Sequence, residues 1–491
     1  MPKHHDSSAP RAAARNPVLE GKVYRFGVHG LQETPLDFHV PSIGWEERHA
    51  LGKAQRKRVP RESHAEWKPP KDRPDPLKLI DRSNQGRLGF LIPLRMGRMA
   101  ASPFGFLRGT AGVMAWDLAH SPVSGITTII DGDSHLGNFG FYGTPQHDIV
   151  FDLHDFDETA IGAWEWDLKR LVASFNVLGR ENGLSRLERS DAVKRCVSGY
   201  RENSHRLERM GVLDVWYQHA YPGRLNPLVA IDPKSEAIFK KAVRKAATKT
   251  SASLLTKMTQ RDRHGRWRFR NDPPILTRVD RETREQVISG LKQYADTLTR
   301  DWRYLVSLYH VEDVALRVVG VGSVGTRVYL AMLFGNGDAD PLFLQVKEAG
   351  DSAWAPYVPT MPAEFAVHKS WRVIWGHRML QASSDPLLGF TTIGGRDYYV
   401  RQMKNLKGGV PFEYLSGEPF SFYAWACGAL LARAHGRTGA GASISGYVGN
   451  SDVLDEALAQ WAEDYGDQNQ SDYEALVDAI KSGRVKAIPD T

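Results

Sequence analysis

The stretch DGDSHLGNFGFYGTPQHDIVFDLHDFD, residues 131–157, sets carboxylate and amide side chains beside two short apolar runs, 126–130 and 149–153. Each run reads as a buried strand, because it is short, β-branched and closed by turn residues. Asp133 and Asn138 fall in the turn after the first strand, and Asp155 follows the second. If the two strands are neighbours that end together, three oxygen-bearing side chains converge on one spot. Hard oxygen ligands gathered in this way suit Mg²⁺, which completes its shell with water and substrate phosphates. The expected chemistry is phosphoryl transfer, with Asn138, Asp155 and Asp157 as metal ligands and Asp133 with His135 as catalytic side chains.

Further along, Gly320-Val321-Gly322-Ser323-Val324-Gly325 matches G-x-G-x-x-G. A dinucleotide fold requires a helix after the last glycine. Here residues 327–334 have the composition of a strand instead. A glycine loop between two antiparallel strands is the phosphate-covering loop of protein kinases, whose lysine stands on the next strand. Lys347 closes the apolar run 342–346 and fills that place. Gly320, Gly322, Ser323, Gly325 and Lys347 are therefore the expected nucleotide contacts, with glycine letting backbone N–H groups approach phosphate. The plainer alternative is a tight hairpin with an incidental lysine.

The Asp133-to-Asn138 interval is five residues (138 − 133), the interval of a kinase catalytic loop, where Asp orients the acceptor hydroxyl and Asn binds metal. His135 could orient Asp133 or serve only the turn. Asp131 reads as a turn cap. Asp152 alternates with the apolar residues of its strand and should point away from Asp155. Asp167, in Trp166-Asp167-Leu168, reads either as a helix N-cap or as a brace beneath the catalytic loop. A divalent-metal hydrolase would also use such a block, but leaves the glycine loop unexplained.

At 491 residues, with 42% hydrophobic and 25% charged residues, the chain has the composition of a large globular protein. Its net charge of +7 fits acidic substrates such as nucleotides, although a solvated basic surface is the commoner explanation. Two cysteines, Cys196 and Cys427, exclude a disulfide framework. No signal-peptide pattern and no apolar run long enough to span a bilayer are present, so a cytoplasmic location is expected. Residues 1–80, with 15 Lys/Arg against 10 Asp/Glu and scattered prolines, read as a basic irregular N-terminal arm. The cluster Arg56-Lys57-Arg58 with Arg61 admits a nucleic-acid role, although a solvated tail is the commoner use of such a run. Residues 81–310 read as a mostly helical region holding the catalytic loop, with one long helix over 281–309. Residues 311–410 read as an antiparallel-sheet nucleotide lobe, and 411–491 as helices returning to the first region.

The blocks Gly132-Asp133…His135…Asn138-Phe139-Gly140, Asp155-Phe156-Asp157-Glu158-Thr159, Glu165-Trp166-Asp167-Leu168-Lys169-Arg170 and Leu344-Gln345-Val346-Lys347-Glu348, with Tyr399-Val400-Arg401-Gln402, resemble the uncharacterised bacterial family called domain of unknown function 2252. The first three are also similar to aminoglycoside phosphotransferases and other kinase-like enzymes. In those enzymes the glycine loop precedes the catalytic loop, whereas here it follows by about 190 residues. The resemblance implies an α+β, protein-kinase-like two-lobed fold, circularly permuted so that the catalytic lobe comes first. It implies an ATP- and Mg²⁺-dependent phosphotransferase on an unidentified acceptor. A nucleotide-binding pseudokinase or an AMP-transferring enzyme are the alternatives. The glutamate that should pair with Lys347 is either Glu348 or Glu364.

Overall fold

The computed structural model describes residues 22–221, 232–359, 361–403 and 405–489, with the side chains of Ala363 and Glu364 outside that description. The first part of the predicted arm, residues 1–21, also lies outside it. What it shows is a mixed α/β chain with a helical body, four small two-stranded sheets and one six-stranded sheet among the described residues.

Fourteen strands are present among the described residues. An N-terminal hairpin joins β1 (Lys22–Arg25) to β2 (Gln32–Pro35). The helical body holds β3 (Thr127–Ile130), β4 (Phe139–Gly143), β5 (Ile149–Leu153) and β6 (Ala160–Ala163). A surface hairpin pairs β7 (Thr259–Arg261) with β8 (Trp267–Phe269). The large sheet runs β13 (Gly389–Ile393), β14 (Arg396–Gln402), β12 (Pro341–Glu348), β11 (Val328–Phe334), β10 (His310–Arg317), β9 (Leu276–Arg278), antiparallel throughout.

Alternation along these strands sorts side chains by face. Leu342, Leu344 and Val346 of β12 join Val314, Ala331 and Val400 in a core shared with the helix Arg281–Ala295. Phe343 faces the other way, beside Leu330, Met332 and the helix Ser251–Met258. Gln345 and Lys347 share the face of Phe343, so the sequence period alone turns the lysine toward the body.

The body is built on the helices Trp164–Glu181, Arg186–Glu208, Gly417–Arg437 and Val453–Lys481, whose facing residues form the main core. The last of these continues well past residue 465, where the sequence pattern predicts a helix over 452–465. Asn469 and Asp472, polar positions that seem to end the pattern, are buried and satisfied: Asn469 donates to the Pro103 carbonyl (3.1 Å) and Asp472 accepts from Arg73 (2.6 Å).

Three expectations are corrected. The run 281–309 is two helices, Arg281–Ala295 and Arg300–Ser307, because Thr297 turns back on the Tyr294 carbonyl through both its N–H and its hydroxyl. The arm beyond residue 21 is not irregular: it carries the hairpin and the helices Trp45–Ala54 and Pro76–Asn84, and it wraps the body. Its basic cluster has structural work, since Arg56 and Arg61 donate to the Tyr447 and Val448 carbonyls (2.8 and 2.7 Å) at the end of the helix Gly441–Val448. Cations placed there satisfy the helix's last acceptors and complement its dipole. Farther along the arm, Arg73 bridges the buried carboxylates of Asp117 (2.7 Å) and Asp472. Finally, the sheet starts at β9, well before residue 311.

Among the described residues, no helix is long and apolar enough to cross a membrane.

Candidate active site

The predicted neighbours β3 and β5 are not paired with one another. β3 pairs with β6 and β5 with β4, a strand the sequence hides behind glycines and aromatics. The convergence arises from register instead. Phe139 opposes Leu153, so Asn138 lies across from His154, one residue before Asp155. The His154 N–H donates to the Asn138 carbonyl (3.1 Å) and fixes that contact.

The turn itself hangs from the helix Trp164–Glu181. Asp167 accepts from the backbone N–H groups of Asp131 (2.7 Å) and Gly132 (2.9 Å), and its oxygen also meets His435 Nε2 (3.2 Å). The helix is capped at Ala163 without a side-chain bond, so Asp167 is the brace and not the N-cap. Gly132 is required here: its φ is +81°, and a Cβ would sit 2.1 Å from the Glu158 carbonyl oxygen. Asp131 does not cap the turn, since both of its carboxylate oxygens are buried without a partner. Burial first, then Asp167 and Asp133, push that carboxyl well above its ordinary value. Asp152 points away from Asp155, as expected, and pairs with Arg433 in the core.

Asp133 is a fifth exposed and is gripped by Arg170 through Nε (2.5 Å). Burial raises its pKa to about 7 against the pull of Arg170. His135 is buried and stands 4.0 Å from Asp133, accepting from the Gly137 N–H (3.1 Å). Burial, with Arg108 and Arg170 nearby, holds it well below its usual value, so it is a neutral support. The Asn138 amide donates to the Asp133 carbonyl (2.7 Å), which leaves its oxygen for another partner.

Burial alone would raise the Asp155 carboxyl, but Lys347, Arg401 and Lys407 outweigh it and hold it below the ordinary value. Its Oδ1 is buried without a hydrogen bond and lies 3.8 Å from Lys347 Nζ. Asp157 contacts Lys347 directly, accepts from Tyr399 Oη (2.9 Å), and meets Ser323 Oγ of the glycine loop at 3.4 Å. Asp155 and Asp157 thus meet Lys347, and Asp157 meets Ser323 of the glycine loop, at one place.

In the glycine loop, Gly320 and Gly325 take positive φ values of +66° and +90°. Its carbonyls turn outward: Gly320 accepts from Arg98 (2.6 Å), Val324 from Arg87 (2.6 Å) and Gly325 from the Leu88 N–H (2.7 Å). The N–H groups of Gly322 and Ser323 donate to no carbonyl among the described residues. Unpaired N–H groups beside positive-φ glycines are one arrangement that can receive an anion.

Among the described residues, no glutamate pairs with Lys347. Glu348 is held by Arg327 (3.1 Å) and Arg396 (2.7 Å), and the Glu364 side chain lies outside the described residues. The helix Ser370–Leu380, which follows Lys347 in the chain, presents Arg372 in its stead, donating to the carbonyls of Thr159 (2.9 Å) and Asp157 (2.5 Å). Lysine and acid are therefore paired within the cleft, and the helix clamps the acidic segment's backbone.

As a home for Mg²⁺, the site offers Asp155, ionised with an orphaned oxygen, and the free amide oxygen of Asn138. Among the described residues, no three His, Cys, Asp or Glu side chains form a metal cage. Two protein oxygens completed by phosphates and water is the usual Mg²⁺ arrangement. Asp157 fits less well, because Tyr399, Ser323 and Lys347 occupy its carboxylate. Arg170, Arg372, Tyr399 and Arg401 were missed as site residues. Arg170, Tyr399 and Arg401 lie inside conspicuous motifs, but nothing local gives their direction.

A family model described as an uncharacterized protein conserved in bacteria, DUF2252, matches residues 87–479. No curated protein and no solved structure matches the chain.

Proposed function

The chain belongs to this uncharacterised bacterial family, DUF2252, and from its cleft we propose an ATP- and Mg²⁺-dependent phosphotransferase with a circularly permuted, kinase-like two-lobed fold. The observation that carries the reading is the meeting of Lys347 with Asp155 (3.8 Å) and Asp157 across a glycine loop whose Ser323 reaches the same carboxylate. Lys347 on the second strand after the loop would hold the α- and β-phosphates as a point charge. Burial would lower its pKa, but Asp155 and Asp157 outweigh it, so the ammonium stays charged. Asn138 and Asp155 would hold Mg²⁺, which when bound neutralises charge on the phosphate oxygens. Asp133, steered by Arg170, would take the acceptor's hydroxyl proton. The helix Gly417–Arg437 leads from the sheet back into the body and brings His435 under Asp167, which supports the permuted order.

The pH profile follows from Asp133. A base must be ionised to accept a proton, and this carboxyl titrates at about 7. Transfer should rise with pH through about 7 and level off above it. A flat profile between about pH 5.5 and 8.5 would exclude Asp133 as the base.

Calorimetric titration of ATP with and without Mg²⁺ tests the reading as a whole. The expected result is binding that weakens by about tenfold or more when Mg²⁺ is withdrawn. No heat at millimolar ATP removes the enzyme reading. A pseudokinase is the second reading. It is favoured by the contacts that tie the loop closed in this state, Arg87 and Arg98 outside it and Ser323 on Asp157 within.

A further inference from the structure

Beside the Lys347–Asp155 pair the cleft deepens into a cavity of about 370 Å³, lined among others by Arg317, Gln345, Arg401 and Lys407. In a nucleotide site of the proposed kind this inner end would receive the base, and an apolar lining would be expected. Here a wall that includes Trp302, Tyr309 and Leu342 also carries three cations, Arg317, Arg401 and Lys407. Gln345 and Arg401 oppose one another in the β12–β14 ladder, and Arg401 donates to the Gln345 side chain (3.0 Å) and to the His154 carbonyl (3.2 Å). The Arg317 guanidinium has one contact, the Met403 sulfur (3.2 Å). Lys407 has neither a hydrogen bond nor an ion pair among the described residues. The single carboxylate in the lining, Asp385, is already taken by the N–H groups of Leu387 (2.8 Å) and Gln402 (2.6 Å).

Two half-buried cations that face one cavity without an acidic partner are poised to receive an anion. A guanidinium fork beside an ammonium is the side-chain set that recognises phosphate. We propose that Arg317, Arg401 and Lys407 form a phosphate-binding pocket at the inner end of the cleft. It rests on the reading above only in its placement beside Asp155. The phosphate has two sources, the tail of the nucleotide itself or a separate phosphorylated ligand. With the tail inside, the nucleotide would lie reversed and present its α-phosphate at Asp155.

The charge state of Lys407 supports the pocket. Burial first, then Arg401, bring its pKa to about 7, so that an arriving anion would recharge it. Asp155, Lys347 and Arg317 also act on it. His154 and His377 lie well below neutrality, the latter at about 3, and do not titrate in this window. Binding of sulfate, which does not change protonation near neutrality, should strengthen as pH falls through about 7.

The test is calorimetry of sodium tripolyphosphate with the full chain and with Arg317→Gln and Lys407→Met, using Lys407→Arg to separate charge from folding. Expected are binding by the wild type, weakening by about tenfold or more in Arg317→Gln and Lys407→Met, and retention in Lys407→Arg. No binding at millimolar tripolyphosphate, or affinities in both variants within about twofold of wild type, overturns the pocket. Displacement of tripolyphosphate by ATP supports the pocket and assigns the nucleotide tail as its source, whereas simultaneous binding supports it with a separate ligand. Lys407-dependent tripolyphosphate binding without any ATP binding upholds the pocket and removes the nucleotide reading. Intact Mg²⁺-ATP binding, with tripolyphosphate affinities in both variants within about twofold of wild type, does the reverse.

Discussion

Replacing Asp155 by alanine is expected to lower group transfer by about a thousandfold or more, while the protein stays folded. The carboxylate is ionised, its Oδ1 is buried without a hydrogen bond, and its nearest charged partner is Lys347. An ionised carboxylate with no hydrogen bond at Oδ1 and only a 3.8 Å contact to Lys347 keeps coordination capacity for a cation. Folding should survive because Lys347 keeps Asp157 as its counterion. Transfer rates measured on wild type and variant decide the matter. Equal background rates in both would make the protein a binding module, and a fully active variant would remove Asp155 from the site.

The second large effect is expected at Asp167. Its two oxygens receive the N–H groups of Asp131 and Gly132 and the His435 ring, all buried. Alanine would leave two buried N–H groups unpaired at roughly 1–3 kcal/mol each and lose the bond to His435, about 4–6 kcal/mol in all. The turn carrying Asp133 would then lose its anchor, and activity should fall at temperatures where the fold still holds. Thermal unfolding and transfer rate measured on Asp167→Ala and Asp167→Asn separate the two effects. The asparagine keeps one acceptor oxygen and should recover part of the stability. A melting temperature unchanged in the alanine variant would show that the turn stands without its brace.

How far the sequence discloses these features depends on the range of the interaction. The Asp133–Asn138 interval and the strand before Lys347 are local, and local patterning is what periodicity and turn chemistry encode. That Lys347 would face the body was also implicit, because period-2 alternation sets it opposite to Val346. Pairing between strands is not local. The β4–β5 ladder that delivers Asn138 to Asp155 passes through a glycine-rich strand with no clean alternation. Buried polar residues mislead in the same way. Arg73, Asn469 and Asp472 read as surface or as helix ends until their distant partners are known. Arg372 stands where a glutamate was sought, since the need for a counterion at Lys347 is met by Asp157, about 190 residues earlier in the chain. The arm's basic residues likewise read as a solvated or nucleic-acid-binding run, and their actual acceptors are carbonyls at a helix end nearly 400 positions away.

The most direct measurement is diffraction from crystals grown with a non-hydrolysable ATP analogue and Mn²⁺, the metal located by its anomalous signal. The account predicts manganese between Asn138 and Asp155, with the analogue's phosphates lying among that metal, Lys347 and residues 320–325. Metal and nucleotide found in another part of the molecule, with Lys347 still paired to Asp157 and touching no ligand, would contradict it.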